Sequence, residues 1–137
     1  MSDFLTEMSQ ASVLRARAAR ESVGVSRLQS RAAAATSPLR LPLDTGGFDV
    51  IAEAKLASPS EGHLVREGSG HTVVSLARSY EWNGAAAVSV LTEPDRFAGS
   101  LEDLEEVAGE VDVPAMRKDF LVDPIQVIEA RVAGASG

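Results

Sequence analysis

From Phe48 to its last residue the sequence alternates short β-capable runs with segments of helical periodicity, three times over, and no other feature constrains the fold so tightly. The runs are FDVIAEAKLAS at 48–58, AAAVSVLTE at 85–93 and VDVPAMRKDF at 111–120. After the first, Val73, Leu76, Ala77 and Tyr80 recur at helical spacing and Gly84 is placed to stop the helix. After the second, Ser100 followed by Asp103 resembles a capping box, and Leu101, Leu104, Val107 and Ala108 form the apolar stripe. The third helix opens with Asp123 as N-cap, Pro124 at its first position and Gln126 three residues after the cap. Ile125, Ile128 and Val132 are expected to face the sheet, and Gly134 to end the helix. Three βα units in succession require parallel strands with helical crossovers, so the fold class is α/β.

Residues 1–36 read as a helical extension, one or two surface helices with scattered apolar positions at Phe4, Leu5, Met8, Val13 and Leu14. Residues 37–47, SPLRLPLDTGG, carry two prolines and a Gly-Gly pair and read as a linker into the repeating part, 48–137. The sequence reaches Ala135-Ser136-Gly137 where the rhythm calls for a fourth strand. A parallel sheet left open there would expose unpaired backbone groups. The expectation is therefore a fragment or a chain that recruits another, by homo-oligomerisation or through a complementing half, and no well-behaved monomer.

Composition narrows the function. A net charge of −7 argues against a nucleic-acid or anionic-membrane surface and leaves a small anionic ligand held by a few local cations. Without cysteine there is no disulfide framework, thiolate metal site or cysteine nucleophile. The uncharged run Gly84–Leu91 is too short to span a bilayer, and Asp3 and Glu7 stand where a secretion signal would be basic and then apolar, so a cytoplasmic protein is expected.

Strand alternation puts Glu53 and Lys55 on one face of the first strand, roughly 7 Å apart by strand rise, with Ala52 and Ala54 on the other. A solvated surface pair is an equally good reading of those two charges. Ser58-Pro59-Ser60-Glu61-Gly62 offers two hydroxyls and a glycine near an expected helix terminus, a chemistry suited to phosphate but also to an ordinary turn. On the third strand Met116, Lys118 and Phe120 share one face, and Ala115, Arg117 and Asp119 the other. A lysine beside an aromatic ring at a strand end could act as an acid toward a flat substrate; taken alone, pairing of Lys118 with Asp119 or Glu93 is the favoured reading. His63 and His71 lack the company of a metal site and read as loop residues, and Tyr80 and Trp82 as packing or surface residues.

Taken together, IAEAKLASPSEG (51–62), AAAVSVLTEPDRFAGSLEDL (85–104) and VPAMRKDFLVDPIQVIEARVAGA (113–135) are similar, in order and spacing, to the first three βα units of indole-3-glycerol-phosphate synthases. The resemblance covers roughly residues 48–137, with a weaker fit of the helical extension that this family carries. It implies an N-terminal partial (β/α)8 TIM-type barrel of about three βα units, whereas a whole barrel takes about 250 residues. It also implies a carboxy-lyase of tryptophan biosynthesis that converts 1-(2-carboxyphenylamino)-1-deoxyribulose 5-phosphate to indole-3-glycerol phosphate with loss of carbon dioxide and water. No metal or organic cofactor is expected. On the matching positions Lys118 is the general acid, Lys55 lies near the substrate's anionic groups, and Glu53 orients the lysines. Ser58 and Ser60 line the substrate, and Phe97 and Phe120 hold its aromatic ring. Where the family usually reads EIKRxSPSKG, this chain has Leu56 and Glu61 in place of basic residues, which should weaken binding of an anion. The alternative is a catalytically inactive half-barrel that serves as an assembly or binding module. Another phosphate-binding barrel, such as phosphoribosylanthranilate isomerase, is disfavoured by the RKDF and SPS elements together.

Overall fold

The computed structural model describes residues 3–41, 46–65 and 70–137. In chain order the elements are α1 (Phe4–Ser22), α2 (Val25–Ala34), β1 (Ile51–Ala54), β2 (Ala57–Ser58), β3 (Gly62–His63), α3 (Val73–Trp82), β4 (Ala87–Leu91), α4 (Pro94–Phe97), α5 (Leu101–Glu110), β5 (Ala115–Lys118) and α6 (Pro124–Val132). β1, β4 and β5 form a parallel sheet in that order, with Glu53 opposite Ser89 and Leu91 opposite Lys118. The three β-capable runs thus become the three strands, and α3 and α5 cross between them. Of the segment read as a linker, residues 42–45 lie outside the described residues.

Every residue of β4 is buried, as suits a middle strand of near-continuous apolar sequence. Val88 and Val90 meet Ala54 and Ala115 from the flanking strands, Val73 and Ala77 from α3, and Leu104 and Val107 from α5. Leu104 and Val107 have no exposed surface, and burying each such side chain stabilises the fold by about 1.5–3 kcal/mol. The helix signals act as read. Gly84, at φ 88°, ends α3 in a conformation that costs glycine little. Asp123 and Gln126 complete a capping box around Pro124, whereas Ser100 accepts from the Asp103 amide and makes only the first half of one.

Two expectations about helix faces are corrected. Ile125, Ile128 and Val132 do not face the sheet: Ile125 is buried with Ala16, Ala19 and Leu28, and the other two pack on the same cluster. The sheet side of α6 is carried by Ala130 and Ala133. A helix lying between a sheet and a second helical layer needs two apolar faces, and close approach to the sheet favours alanine on one, leaving the branched side chains for the other. Nor is α1 merely a surface helix. Of its scattered apolar residues only Met8 is buried; the stripe turned inward is Met8, Ser12, Ala16 and Ala19.

Ser58–Gly62 is part of a hairpin and is not continuous with the start of the crossover helix. β2 and β3 pair as a short antiparallel hairpin immediately after β1, and α3 begins only at Val73. At the far edge of the sheet, Ser136 donates its backbone N–H to Ala115 and Arg117 donates to the Gly137 carbonyl, so the last residues already pair with β5. Among the described residues no helix is long and apolar enough to cross a membrane.

Candidate active site

The C-terminal ends of β1, β4 and β5 open on a cavity of about 210 Å3 lined by Glu53, Leu91, Glu93, Phe97, Lys118, Asp119 and Phe120. Period-two alternation explains the convergence, because Glu53 and Leu91 fall on the same face of neighbouring strands and Lys118 is registered against Leu91. Four of the residues singled out from sequence, Glu53, Lys118, Phe97 and Phe120, therefore share one cavity. Lys55 joins them through Glu53, its ammonium 3.2 Å from the carboxylate, with both side chains part-exposed. Ser58 and Ser60 do not line this cavity. Their hydroxyls lie 3.4 Å apart in the hairpin, where Ser58 also accepts from the Glu61 amide at 3.2 Å. The hairpin's first strand packs against α4.

Aromatic rings form one wall. Phe97 and Phe120 have centroids 6.4 Å apart, and Phe4 meets Phe120 edge-on at 6.0 Å. Phe4 arrives from α1, which is clamped over the strand ends. Glu7 pairs with Arg96 at 2.6 Å and Arg20 with Asp123 at 2.5 Å. The Ser12 hydroxyl donates to the Phe120 carbonyl and accepts from the Gln126 amide at 2.7 Å. These clamps show in the titration of their members: Glu7 raises the Arg96 guanidinium above its ordinary value. The Ile125 amide, assisted by Arg20 and opposed by desolvation, holds the Asp123 carboxyl below the usual 3.8.

The two carboxylates that the sequence offers as partners for Lys118 are occupied by other groups. Glu93 is fully buried and caps α4, accepting from the amides of Asp95, Arg96 and Phe97 at 3.1, 2.7 and 3.2 Å. The Asp119 side chain is equally buried. It accepts from Arg15 at 2.9 Å, Arg117 at 3.1 Å, the Thr92 hydroxyl at 2.8 Å and the Phe120 amide at 2.8 Å. Among the described residues the Lys118 ammonium makes no hydrogen bond or ion pair, and only its backbone is bonded, the carbonyl accepting from the Thr92 amide. The reading in which Lys118 is a structural partner of Asp119 or Glu93 is thereby overturned, because arginines and backbone amides have taken both carboxylates. Glu53 and Lys55 do form a pair, as the bland reading had it, yet Glu53 also lines the cavity.

Elsewhere, the groove of about 490 Å3 between residues 35–39 and α6 is larger, but Arg131, its one cation among the described residues, donates to the carbonyls of Ala35 and Thr36. Size alone does not mark the site. His63 and His71 are exposed, and no group of three metal-binding side chains occurs among the described residues. Tyr80 packs on the core, while Trp82 is 90% exposed.

Sequence reasoning missed Phe4, Ser12, Arg15, Glu93 and Gln126 as parts of this site. One signal was present: only two of the 13 Lys and Arg residues are lysines, Lys55 and Lys118, and both fall at strand ends. Glu93 before Pro94 was also a legible helix start. Nothing local marked Ser12 or Arg15, whose hydrogen-bond partners lie more than 100 residues away in the chain.

The chain is similar to known proteins over most of its length. A family model described as indole-3-glycerol phosphate synthase matches residues 5–137. The chain is 49% identical over 121 residues to the protein of that name from Mycobacterium ulcerans strain Agy99 and 48% identical to that of Mycobacterium avium strain 104. Each alignment covers 86% of this chain and 43% of the relative. The Leptospira interrogans protein of the same name is 48% identical over 98 residues, 72% of this chain and 38% of its own. The chain thus spans about two-fifths of the length of these relatives.

Proposed function

The chain belongs to the indole-3-glycerol phosphate synthase family, and from that premise we propose that its three βα units are the first three of a (β/α)8 barrel that closes the indole ring in tryptophan biosynthesis. Residues 1–36 serve as its helical extension, 37–47 as a linker and 48–137 as the barrel part, acting in the cytoplasm without a metal or organic cofactor. The substrate is 1-(2-carboxyphenylamino)-1-deoxyribulose 5-phosphate. The observation that carries this reading is an unpaired Lys118 ammonium over a phenylalanine-walled cavity, on the same sheet face as Glu53 and Lys55.

In this reading Lys118 protonates the ribulose carbonyl, making its carbon electrophilic toward the anthranilate ring; ring closure then releases carbon dioxide and water. Lys55 offsets the charge of the substrate's phosphate or carboxylate, and Glu53 keeps the two ammonium groups oriented and limits their repulsion. Phe97 and Phe120 hold the flat ring, and Ser58 and Ser60 approach the substrate from the hairpin. A cavity of about 210 Å3 is below the roughly 300–1,000 Å3 usual for small-molecule sites. The remaining wall is therefore assigned to further barrel strands, in the same polypeptide or a complementing one.

The test is an indole-fluorescence cyclisation assay of the 137-residue chain mixed with the remaining barrel strands of the Mycobacterium avium relative. Turnover that falls by about 100-fold or more with Lys118→Ala is the expected result. Turnover indifferent to that substitution would remove Lys118 from its role. None at all in the mixture would favour the inactive assembly module, to which the acidic and apolar drift at Glu61 and Leu56 also points.

A further inference from the structure

We infer that Arg15 is a positioning residue. Its guanidinium, delivered from α1, engages the buried carboxylates at the ends of β4 and β5 and so leaves Lys118 unpaired and available to an anionic substrate. The consequence for catalysis rests on the proposed function, but the charge arrangement stands on geometry alone. Arg15 Nη2 donates to Asp119 at 2.9 Å, and Arg15 Nη1 lies 3.7 Å from Glu93 Oε1. Both carboxylate side chains have no exposed surface. Among the described residues Arg15 Nε and Nη1 are buried without a hydrogen-bond acceptor, so this guanidinium has unused donor capacity beside Glu93.

Glu93 is the rival partner that matters. Asp119 also borders the cavity, but it follows Lys118 in an extended chain and its carboxylate turns to the opposite face, where Arg117 and Thr92 hold it. Glu93 lies two residues beyond Leu91, the register partner of Lys118, and lines the same cavity as the lysine. Side chains as long as those of glutamate and lysine can reach each other from such diagonal positions at neighbouring strand ends. With Arg15 in place, Glu93 has a cation behind it as well as the three amides of α4. Without it, the cation lining the cavity with Glu93 among the described residues is Lys118, and a buried carboxylate gains most from any cation within reach.

Because Lys55 and Lys118 are the only lysines, acetylation at fixed pH followed by peptide mass mapping reads each amine separately, with Lys55 as internal reference and no need for turnover. Arg15→Met is expected to slow labelling of Lys118 relative to Lys55 by about two- to fivefold, the effect of one part-exposed ion pair. Adding Glu93→Gln, which keeps an acceptor for α4, should restore the native ratio. Glu93→Gln alone should leave it unchanged. An unaltered ratio in Arg15→Met, or a loss that the second substitution fails to reverse, would reduce Arg15 to a structural clamp. A rise in Glu93→Gln alone would show that Glu93 already pairs with Lys118 and would overturn the inference even if Arg15→Met does not fold. An inactive chain with the expected labelling would count against the proposed function only.

Discussion

Replacing Gly99 with alanine should be among the most damaging single-methyl changes in this molecule. Gly99 is buried where the chain returns from α4 across the end of β4, its amide donating to the Glu93 carbonyl at 2.9 Å. A Cβ there would stand 2.2 Å from the Leu91 carbonyl oxygen, 2.6 Å from its carbon and 3.0 Å from the Thr92 Cα. Carbon–oxygen contacts settle at about 3.3 Å or more, so the two segments must part by about 1 Å. Both sides of the clash are backbone and no rotamer can relieve it, which places the cost near the upper end of overpacking, about 3 kcal/mol. The lower chain entropy of unfolded alanine returns about 0.5 kcal/mol, leaving about 2.5 kcal/mol. Gly84→Ala is the control: at φ 88° with nothing within 4 Å of the added carbon, it meets only left-handed strain, about 1 kcal/mol. Urea unfolding followed by circular dichroism gives both values. Hydrogen exchange at the Thr92 amide, bonded to the Lys118 carbonyl at 3.0 Å, should quicken in Gly99→Ala alone. If Gly99→Ala costs no more than Gly84→Ala, the close approach does not hold the end of β4 and the argument is wrong.

Three further outcomes are expected. Ser12→Ala removes the partner of the buried Gln126 amide and of the Phe120 carbonyl and should cost about 1–3 kcal/mol in urea unfolding; a change under about 0.5 kcal/mol would mean that water replaces the hydroxyl. Because the folded Asp123 carboxyl titrates below 3.8, its contribution is present at neutral pH and disappears as pH falls through the folded value. Asp123→Asn keeps the cap, so its deficit in melting temperature should persist above about pH 5 and close in more acidic solution; an undiminished deficit near pH 2.5 would exclude a charge effect. Sedimentation velocity at micromolar concentration should show self-association, since β1 has β4 as its only sheet neighbour among the described residues and leaves Val50 and Ile51 exposed beside its open edge; a compact monomer would count against it.

What was legible in the sequence follows from the range of the forces involved. Strand and helix periodicities are local, so the βα rhythm, the Asp123-Pro124-Gln126 helix start and the shared face of Glu53 and Lys55 could be read directly, whereas the register that brings Lys118 to the same face could not. Which face of α6 meets which layer depends on what lies outside it, and Ile125, Ile128 and Val132 look the same whether they meet a sheet or α1 and α2. The hairpin at Ala57–His63 was hidden because SPSEG suits a turn of either kind. Gly99 carries no conformational signature, and its role comes from a backbone eight residues earlier that bends back toward it.

The division of labour between the two cations explains why the site depends on α1. Arginine is always charged and offers a planar fork of donors, so it can hold a buried carboxylate in fixed geometry; lysine is a mobile point charge whose proton can be moved. Here Arg15, Arg20, Arg96 and Arg117 tie chain segments together through Glu93, Asp119, Asp123 and Glu7. The two lysines stand at the strand ends, one beside Glu53 and one unpaired among the described residues. Were a lysine to replace Arg15, one ammonium could not face Asp119 and Glu93 in the same fixed geometry, and Glu93 would remain open to Lys118. The extension that reads from sequence as a solvated helix therefore belongs to the electrostatics of the sheet's open end, and removing it should disturb Lys118 before it disturbs the core that α3 and α5 build with β4.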